Sequence, residues 1–210
     1  MAERRDGTPA PTDTTVRAPD WDAADLSGAA HERVLFTDAD LTEATGTDAV
    51  FSECTFRGAR FNVASFTDSA FLNCTFVRCS FFDATLTGCK FVGSMFDGCS
   101  FDLLKVRGGD WSFTGLPGAD LRRAEFADVR LREADLAGAR LAGAVLTRCD
   151  LSGTWWREAD LRGCDLRGSE ISSLDPTAVS MRGAVIDPVQ AIVLAVAMGL
   201  EVREERAAPR

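Results

Sequence analysis

The sequence predicts an all-β solenoid closed at its C-terminal end by one α-helix. Three regularities lead there. A large apolar residue recurs at every fifth position from Trp21 to Ile186, 34 positions without an insertion, and only His31, Gly46 and Pro176 depart from that character. Two residues before each lies a second series, in which 28 of 34 positions hold Ala, Cys, Ser, Thr or Gly. Of 18 glycines, 13 fall two residues after the large position. A period of five is neither helical (3.6) nor that of a strand (2). It means that each five-residue segment turns a corner, so successive segments trace the sides of a square. Four segments then close a coil of 20 residues, with large and small residues pointing inward and glycine easing the corner.

Composition is consistent with one packed chain. The 210 residues are 46% hydrophobic and 26% charged, with net charge −9. An acidic balance argues against direct nucleic-acid binding, which needs clustered Lys and Arg. The one histidine excludes mechanisms that use two imidazoles. The N-terminus lacks the apolar core of a secretory signal. The apolar run Val189 to Leu200 is interrupted by Gln190 and Gly199 and is too short to cross a bilayer. The expectation is a cytoplasmic protein without membrane contact.

Residues 1–18, with Pro9 and Pro11, read as a flexible arm. Residues 19–186 carry the coil. All seven cysteines (Cys54, Cys74, Cys79, Cys89, Cys99, Cys149, Cys164) occupy the small inward series. Chance would place seven residues in one register about once in 15,000 trials, so cysteine serves as a small buried hydrophobe rather than a metal ligand or disulfide partner. His31 lies in the large series, where it closes an early coil. No nucleophile with an orienting group and no phosphate loop stands out, so neither an enzyme nor a cofactor is expected. Around residues 103–118 the pattern loosens: Leu104 occupies a small position, and Leu103 and Phe113 fall outward, as do Leu72, Val77 and Phe82. A change of turn type between a Phe-rich and a Leu-rich half accounts for this better than an exposed partner patch.

A solenoid's last coil needs a cap. Asp187-Pro188-Val189-Gln190 supplies a helix start, with Asp187 as N-cap, Pro188 at the first position and Gln190 at N3. The helix runs to Met198 and stops at Gly199, within a segment 187–202 that leaves 203–210 as a tail. Val189, Ile192, Val193 and Val196 form one apolar stripe, and Leu194 and Met198 lie on another side. One side can cap the coil. The other is expected to form a two-fold dimer, and Val189, Ile192, Val193, Leu194, Val196, Met198 and Leu200 are the candidate dimerisation residues.

The chain resembles the pentapeptide-repeat family, whose motif A(D/N)LXX stands here as Ala-Asp-Leu at 24–26, 39–41, 119–121, 134–136 and 159–161, and as Cys-Asp-Leu at 149–151 and 164–166. The resemblance implies a right-handed quadrilateral β-helix. Within that family the chain is similar to the Qnr and MfpA group, on the strength of His31-Glu32-Arg33, Gly168-Ser169-Glu170-Ile171, Leu174-Asp175-Pro176 and the ending from Met181 to Ala191. The unbroken register resembles the loop-less MfpA-like branch. That resemblance implies a homodimer joined through C-terminal ends. It also implies a DNA mimic that binds DNA gyrase, a type II topoisomerase, inhibits it and protects it from fluoroquinolones or other poisons. Two alternatives stay open: a rigid scaffold with a non-gyrase partner, and an immunity factor of a topoisomerase-toxin producer.

Charge and length bear on mimicry. About 8.5 coils at roughly 4.8 Å give an end-to-end dimer of about 80 Å, equal to about 24 base pairs carrying about 48 phosphate charges. The dimer would carry only 2 × −9 = −18. Residues 19–53 hold nine acids against Arg33. The candidate contact residues are Asp20, Asp22, Asp25, Asp38, Asp40, Glu43, Asp48 and Glu53 at that tip, with Asp135, Glu158 and Asp175 on an acidic side of the C-terminal half. Arg122, Arg123, Arg140, Arg162 and Arg182 share a basic side.

Overall fold

The computed structural model describes residues 9–203. Within the first half it contains β1 (Thr14–Arg17), β2 (Ala30–Glu32), β3 (Val34–Thr37), β4 (Thr45–Thr47), β5 (Val50–Ser52), β6 (Thr55–Arg57) and β7 (Ser65–Thr67). There follow β8 (Ala70–Leu72), β9 (Thr75–Val77), β10 (Thr85–Thr87), β11 (Met95–Asp97), β12 (Lys105–Arg107), β13 (Glu125–Ala127), β14 (Val145–Thr147) and α1 (Pro188–Ala197).

Every strand pairs in parallel with the one 20 residues away, as Phe36 opposite Phe56 and Phe56 opposite Phe76. Four faces result. The first is β1-β3-β6-β9-β11, continued by bridges through Gly115 and Asp135 to Trp155. The second has single bridges only, through Asp20, Asp40, Arg60, Ser80 and Ser100, then Asp120, Arg140, Asp160 and Ser180. The third is β4-β7-β10-β12-β13-β14, and the fourth is β2-β5-β8, continued from Lys90 to Glu170. Strands of three residues suffice because each backbone group bonds to the coil on either side.

The core is the predicted ladder. Phe36, Phe56, Phe76 and Phe96 stack at 5.0, 5.1 and 4.8 Å, and Phe51, Phe71, Phe91 and Trp111 at 5.0, 4.7 and 4.2 Å. His31 heads the second stack, 5.3 Å from Phe51, and burial lowers its pKa. Six of the seven cysteine thiols donate to the carbonyl 23 residues earlier, as Cys74 to Phe51 and Cys89 to Phe66. Ser94 and Ser169 hydroxyls do the same to Phe71 and Leu146. Burial pushes the Cys89 and Cys149 thiols up to about 11 and Cys164 to about 12, so they stay protonated and unreactive.

The coil begins earlier than residue 19. β1 lies inside the segment expected as an arm, because Val16 extends the five-residue series by one step and Thr14–Arg17 pairs with Val34–Thr37. Residues 1–8 and 204–210, the rest of the expected arm and nearly all of the tail, lie outside the described residues. The expected change of turn type is present. On the second face every corner is closed by a hydrogen bond, as Ala24 N–H to Trp21 C=O and Ala84 N–H to Phe81 C=O. On the first and fourth faces such bonds begin only at Leu116 and Phe91, where strands give way to single bridges.

Leu104 is fully buried in its small-residue slot, between rungs that carry Ala84 and Ala124. At the next small position, Gly109, φ is +89° and a Cβ would stand 2.1 Å from the Cys89 carbonyl oxygen. Gly46, the gap in the large series, is filled by Phe66 leaning across it; a Cβ there would meet that ring at 2.6 Å. Phe82 and Phe113 are exposed, whereas Leu72, Val77 and Leu103 are half-buried.

Candidate partner-interaction surfaces

The eleven candidate carboxylates divide by their place in the repeat. Asp20, Asp25, Asp40, Asp135 and Asp175 precede a large position, and each accepts the backbone N–H two residues on. Asp110, Asp120, Asp150, Asp160 and Asp165 do likewise. The Asp of the Ala-Asp-Leu motif therefore has a structural duty: it satisfies a turn N–H as the chain enters the corner. Hydrogen bonds from Ser27 and Thr177 hold Asp25 and Asp175 below the usual carboxylate range. The Arg60 guanidinium does the same to Asp40, so that acid is neutralised on the surface.

Asp38, Glu43, Asp48, Glu53 and Glu158 are corner residues with φ between +53° and +62°. Asp tolerates this conformation better than Glu, and neither is required by it. The first four are successive corners of a single coil, so the structure sets one carboxylate at each vertex of the square. No other coil has four acids at its corners. Among the described residues none of the four is in an ion pair. Sequence reading found the acids but not the ring, which appears only when positions five apart are wrapped into a square. Asp22 is exposed beside Asp20 on the second face.

Along that second face the sign reverses. Arg122, Arg123, Arg140, Arg162 and Arg182 all project from it, as expected from their register. Most are self-neutralised: Arg122 and Arg162 each grip the aspartate two residues earlier with two bonds, and Asp160 falls to about 2. Arg140 shares Asp120, and Arg123 reaches Asp102. Asp135, Glu158 and Asp175 share the first face with Trp155 and Arg157.

The helix begins as predicted. Asp187 caps Val189 and Gln190 N–H, and Gln190 Oε1 returns the bond to Asp187 N–H. Gly168 N–H donates to the other Asp187 oxygen. Gln190 Nε2 donates to the Leu166 and Ser169 carbonyls, so the buried amide closes the coil end. Leu194 is buried and Val193 half-buried against the coil. Both belong to the cap, not to the outer face expected of them as dimerisation residues. Val189, Ile192, Val196, Met198 and Leu200 are 49–70% exposed and form that outer face. No helix among the described residues is long and apolar enough to cross a membrane. No group of His, Cys, Asp and Glu among them could hold a metal ion.

A family model for pentapeptide repeats matches eight copies, over residues 47–81, 64–102, 116–148 and 144–175. This chain belongs to the pentapeptide-repeat family. Its fold is the family's right-handed quadrilateral β-helix with one C-terminal helix. It is similar to the full-length structure of QnrB1, a plasmid-mediated fluoroquinolone resistance protein, at 21% identity, covering 89% of this chain and all of that one, with a TM-score of 0.57. It is also similar to HetL, a pentapeptide-repeat protein involved in heterocyst differentiation regulation from the cyanobacterium Nostoc, at 17% identity, 80% and 85% coverage and a TM-score of 0.41. No curated protein matches the chain significantly in sequence.

Proposed function

We propose that this pentapeptide-repeat protein is a DNA mimic of the Qnr and MfpA kind, which binds DNA gyrase as a C-terminally joined homodimer, inhibits it and shields it from fluoroquinolones or related poisons. The observation that carries the reading is the outer face of α1. A cap needs only Gln190, Val193 and Leu194, yet five further apolar side chains face water beyond it. A second copy is the simplest cover for such a face. Joining the rods there sends the ring of Asp38, Glu43, Asp48 and Glu53 toward the two far tips, where unpaired carboxylates would steer a basic DNA-binding saddle. Structural likeness to QnrB1 supports the fold part of this reading, and the group assignment rests on the sequence motifs.

The test is DNA supercoiling by purified gyrase with the protein titrated in, with and without a fluoroquinolone. Inhibition at micromolar dimer or relief of drug-induced cleavage is expected. No effect on gyrases from several bacteria would sink the reading. Converting the four corner acids to Asn and Gln should leave melting unchanged, weaken inhibition and flatten its dependence on salt. Light scattering should give a dimer mass at micromolar concentration, and Ile192→Glu with Val196→Glu a monomer. A monomeric wild type would remove the helix argument.

A further inference from the structure

We propose that the fourth face, between residues 30 and 92, is a docking shelf for a basic amphipathic helix of a protein partner. Each rung presents two outward side chains per face, one before and one after the large inward residue. On the third face the eight such positions from Asp25 to Thr87 hold two residues of Asp25-Leu26-Ser27 and then six Thr or Ser, none of them apolar. On the second face, from Asp20 to Phe82, only Phe82 is apolar. On the fourth face five of the eight are apolar: Ala30, Val50, Ala70, Leu72 and Val92.

The five are neighbours. Ala30, Val50 and Ala70 are register partners on successive rungs, and Leu72 lies one rung beyond Ser52. Asn73 N–H donates to Val92 C=O, which places Val92 on the rung after Leu72. Val50 is 40% exposed, Leu72 and Val92 are half-buried, and none of the five belongs to the core. The change of turn type does not account for Leu72, because corner hydrogen bonds begin on this face only at Phe91. Acids line both edges of the strip. Asp48 and Asp68 stand on the edge shared with the third face, and Glu53 on the edge shared with the first. Among the described residues none of the three is in an ion pair. The Asp68 carboxylate lies over Gly88, where a Cβ would stand 2.1 Å from Oδ1, so it follows the edge of the shelf. With Glu32 the surround holds four acids against Arg33 and Lys90, net −2, and Arg33 is already bonded to Asp13.

An apolar floor between acidic rails complements an apolar stripe flanked by Lys or Arg. Four rungs at roughly 4.8 Å make a floor about 19 Å long, the length of about three and a half helical turns. The rung N–H and C=O groups are paired along the rod, so this face offers no edge to which a strand could be added. Its occupant must bring a backbone that is already satisfied, and a helix does so. The identification of that helix with one of gyrase rests on the proposed function; the chemistry of the shelf does not.

The test uses the full-length protein and a labelled leucine–lysine peptide of about 14 residues, with its leucines at helical spacing. Binding is read by fluorescence anisotropy, and a scrambled peptide of the same composition is the control. The variant combines Val50→Thr, Leu72→Thr and Val92→Thr. The third face carries Thr45, Thr67 and Thr87 at the equivalent positions, so the coil accepts the change, and melting temperature checks it. The wild type should bind the patterned peptide about tenfold more tightly than the scrambled one, and the variant should lose about that factor. Equal binding of the two peptides, or of wild type and variant, would overturn the shelf. A change of oligomer mass in the variant would also overturn it, by making a second copy the occupant. Gyrase affinity is then measured for the same two proteins. A loss of about tenfold in the variant would support the shelf as the gyrase contact. A shelf that binds the peptide in a protein that does not bind gyrase would stand while the gyrase reading falls. Wild-type gyrase affinity in the folded variant would leave the gyrase reading standing and overturn gyrase as the occupant of the shelf.

Discussion

The two halves of the rod keep one register with different chemistry. Up to Trp111 the core is stacked aromatic rings, most corners of three faces are open, and the second coil from the N-terminal end carries unpaired acids at its vertices. Beyond Leu116 the core is mostly Leu and Ala, with Phe126 and Trp156 its only buried rings, most corners are hydrogen-bonded, and aspartates are gripped by arginines two residues away or one rung on. Five-residue periodicity therefore specifies the path of the chain but neither its core chemistry nor its surface field. Rings stacked at about 5 Å match the spacing of the rungs, so each Phe column satisfies backbone and side-chain packing together. A leucine column achieves burial alone.

The strongest way to break this comparison is to truncate one residue from each core. Phe76 is fully buried and meets six other rings; Phe76→Ala should cost about 3–5 kcal/mol, and Leu161→Ala about 2–3 kcal/mol. Equal shifts of the urea midpoint would mean that ring stacking does not distinguish the halves. The junction comes next. Gly109→Ala drives a Cβ into the Cys89 carbonyl and should cost about 3 kcal/mol. Gly118→Ala, with open space around it, should cost about 1 kcal/mol from its positive φ alone. Thermal melting of the pair separates collision from backbone strain.

At the C-terminal end, Gln190→Ala leaves the Leu166 and Ser169 carbonyls without that donor and should cost about 1–3 kcal/mol. Faster hydrogen exchange confined to the last coil and α1 would identify the loss as local. Asp187 adds a pH signature. Its N–H donors lower its folded pKa below 3.8, so its contribution is present above the unfolded value and disappears as pH falls through the folded one. The helix should loosen only below about pH 4, and Asp187→Asn, a competent cap, should shrink that acid transition. The smallest effect belongs to the exposed pairs. Arg162→Ala should barely move the melting temperature, because water screens so exposed a pair, despite two short bonds to Asp160. A larger loss would mean that the C-terminal half depends on its ion pairs as the N-terminal half depends on its rings.

The route of the chain, the inward series, the seven inward cysteines, His31 at the head of a stack and the capping box at Asp187 were all legible in the residues. Each follows from local spacing, and a rigid period leaves the tertiary structure little choice. What spacing could not reveal lies between residues 20 apart or at the ends. Val16 was hidden within a proline-bearing segment, so the start of the coil was set too late. Leu194 faces the coil one turn after Gln190, whereas Met198, at the C-cap one turn further along the same stripe, is exposed; how far the coil's end reaches along α1 is a tertiary fact. The motif aspartates proved to be backbone acceptors first. Only wrapping the chain into a square could gather Asp38, Glu43, Asp48 and Glu53 into a ring, because this is an arrangement across corners that one-dimensional order does not contain.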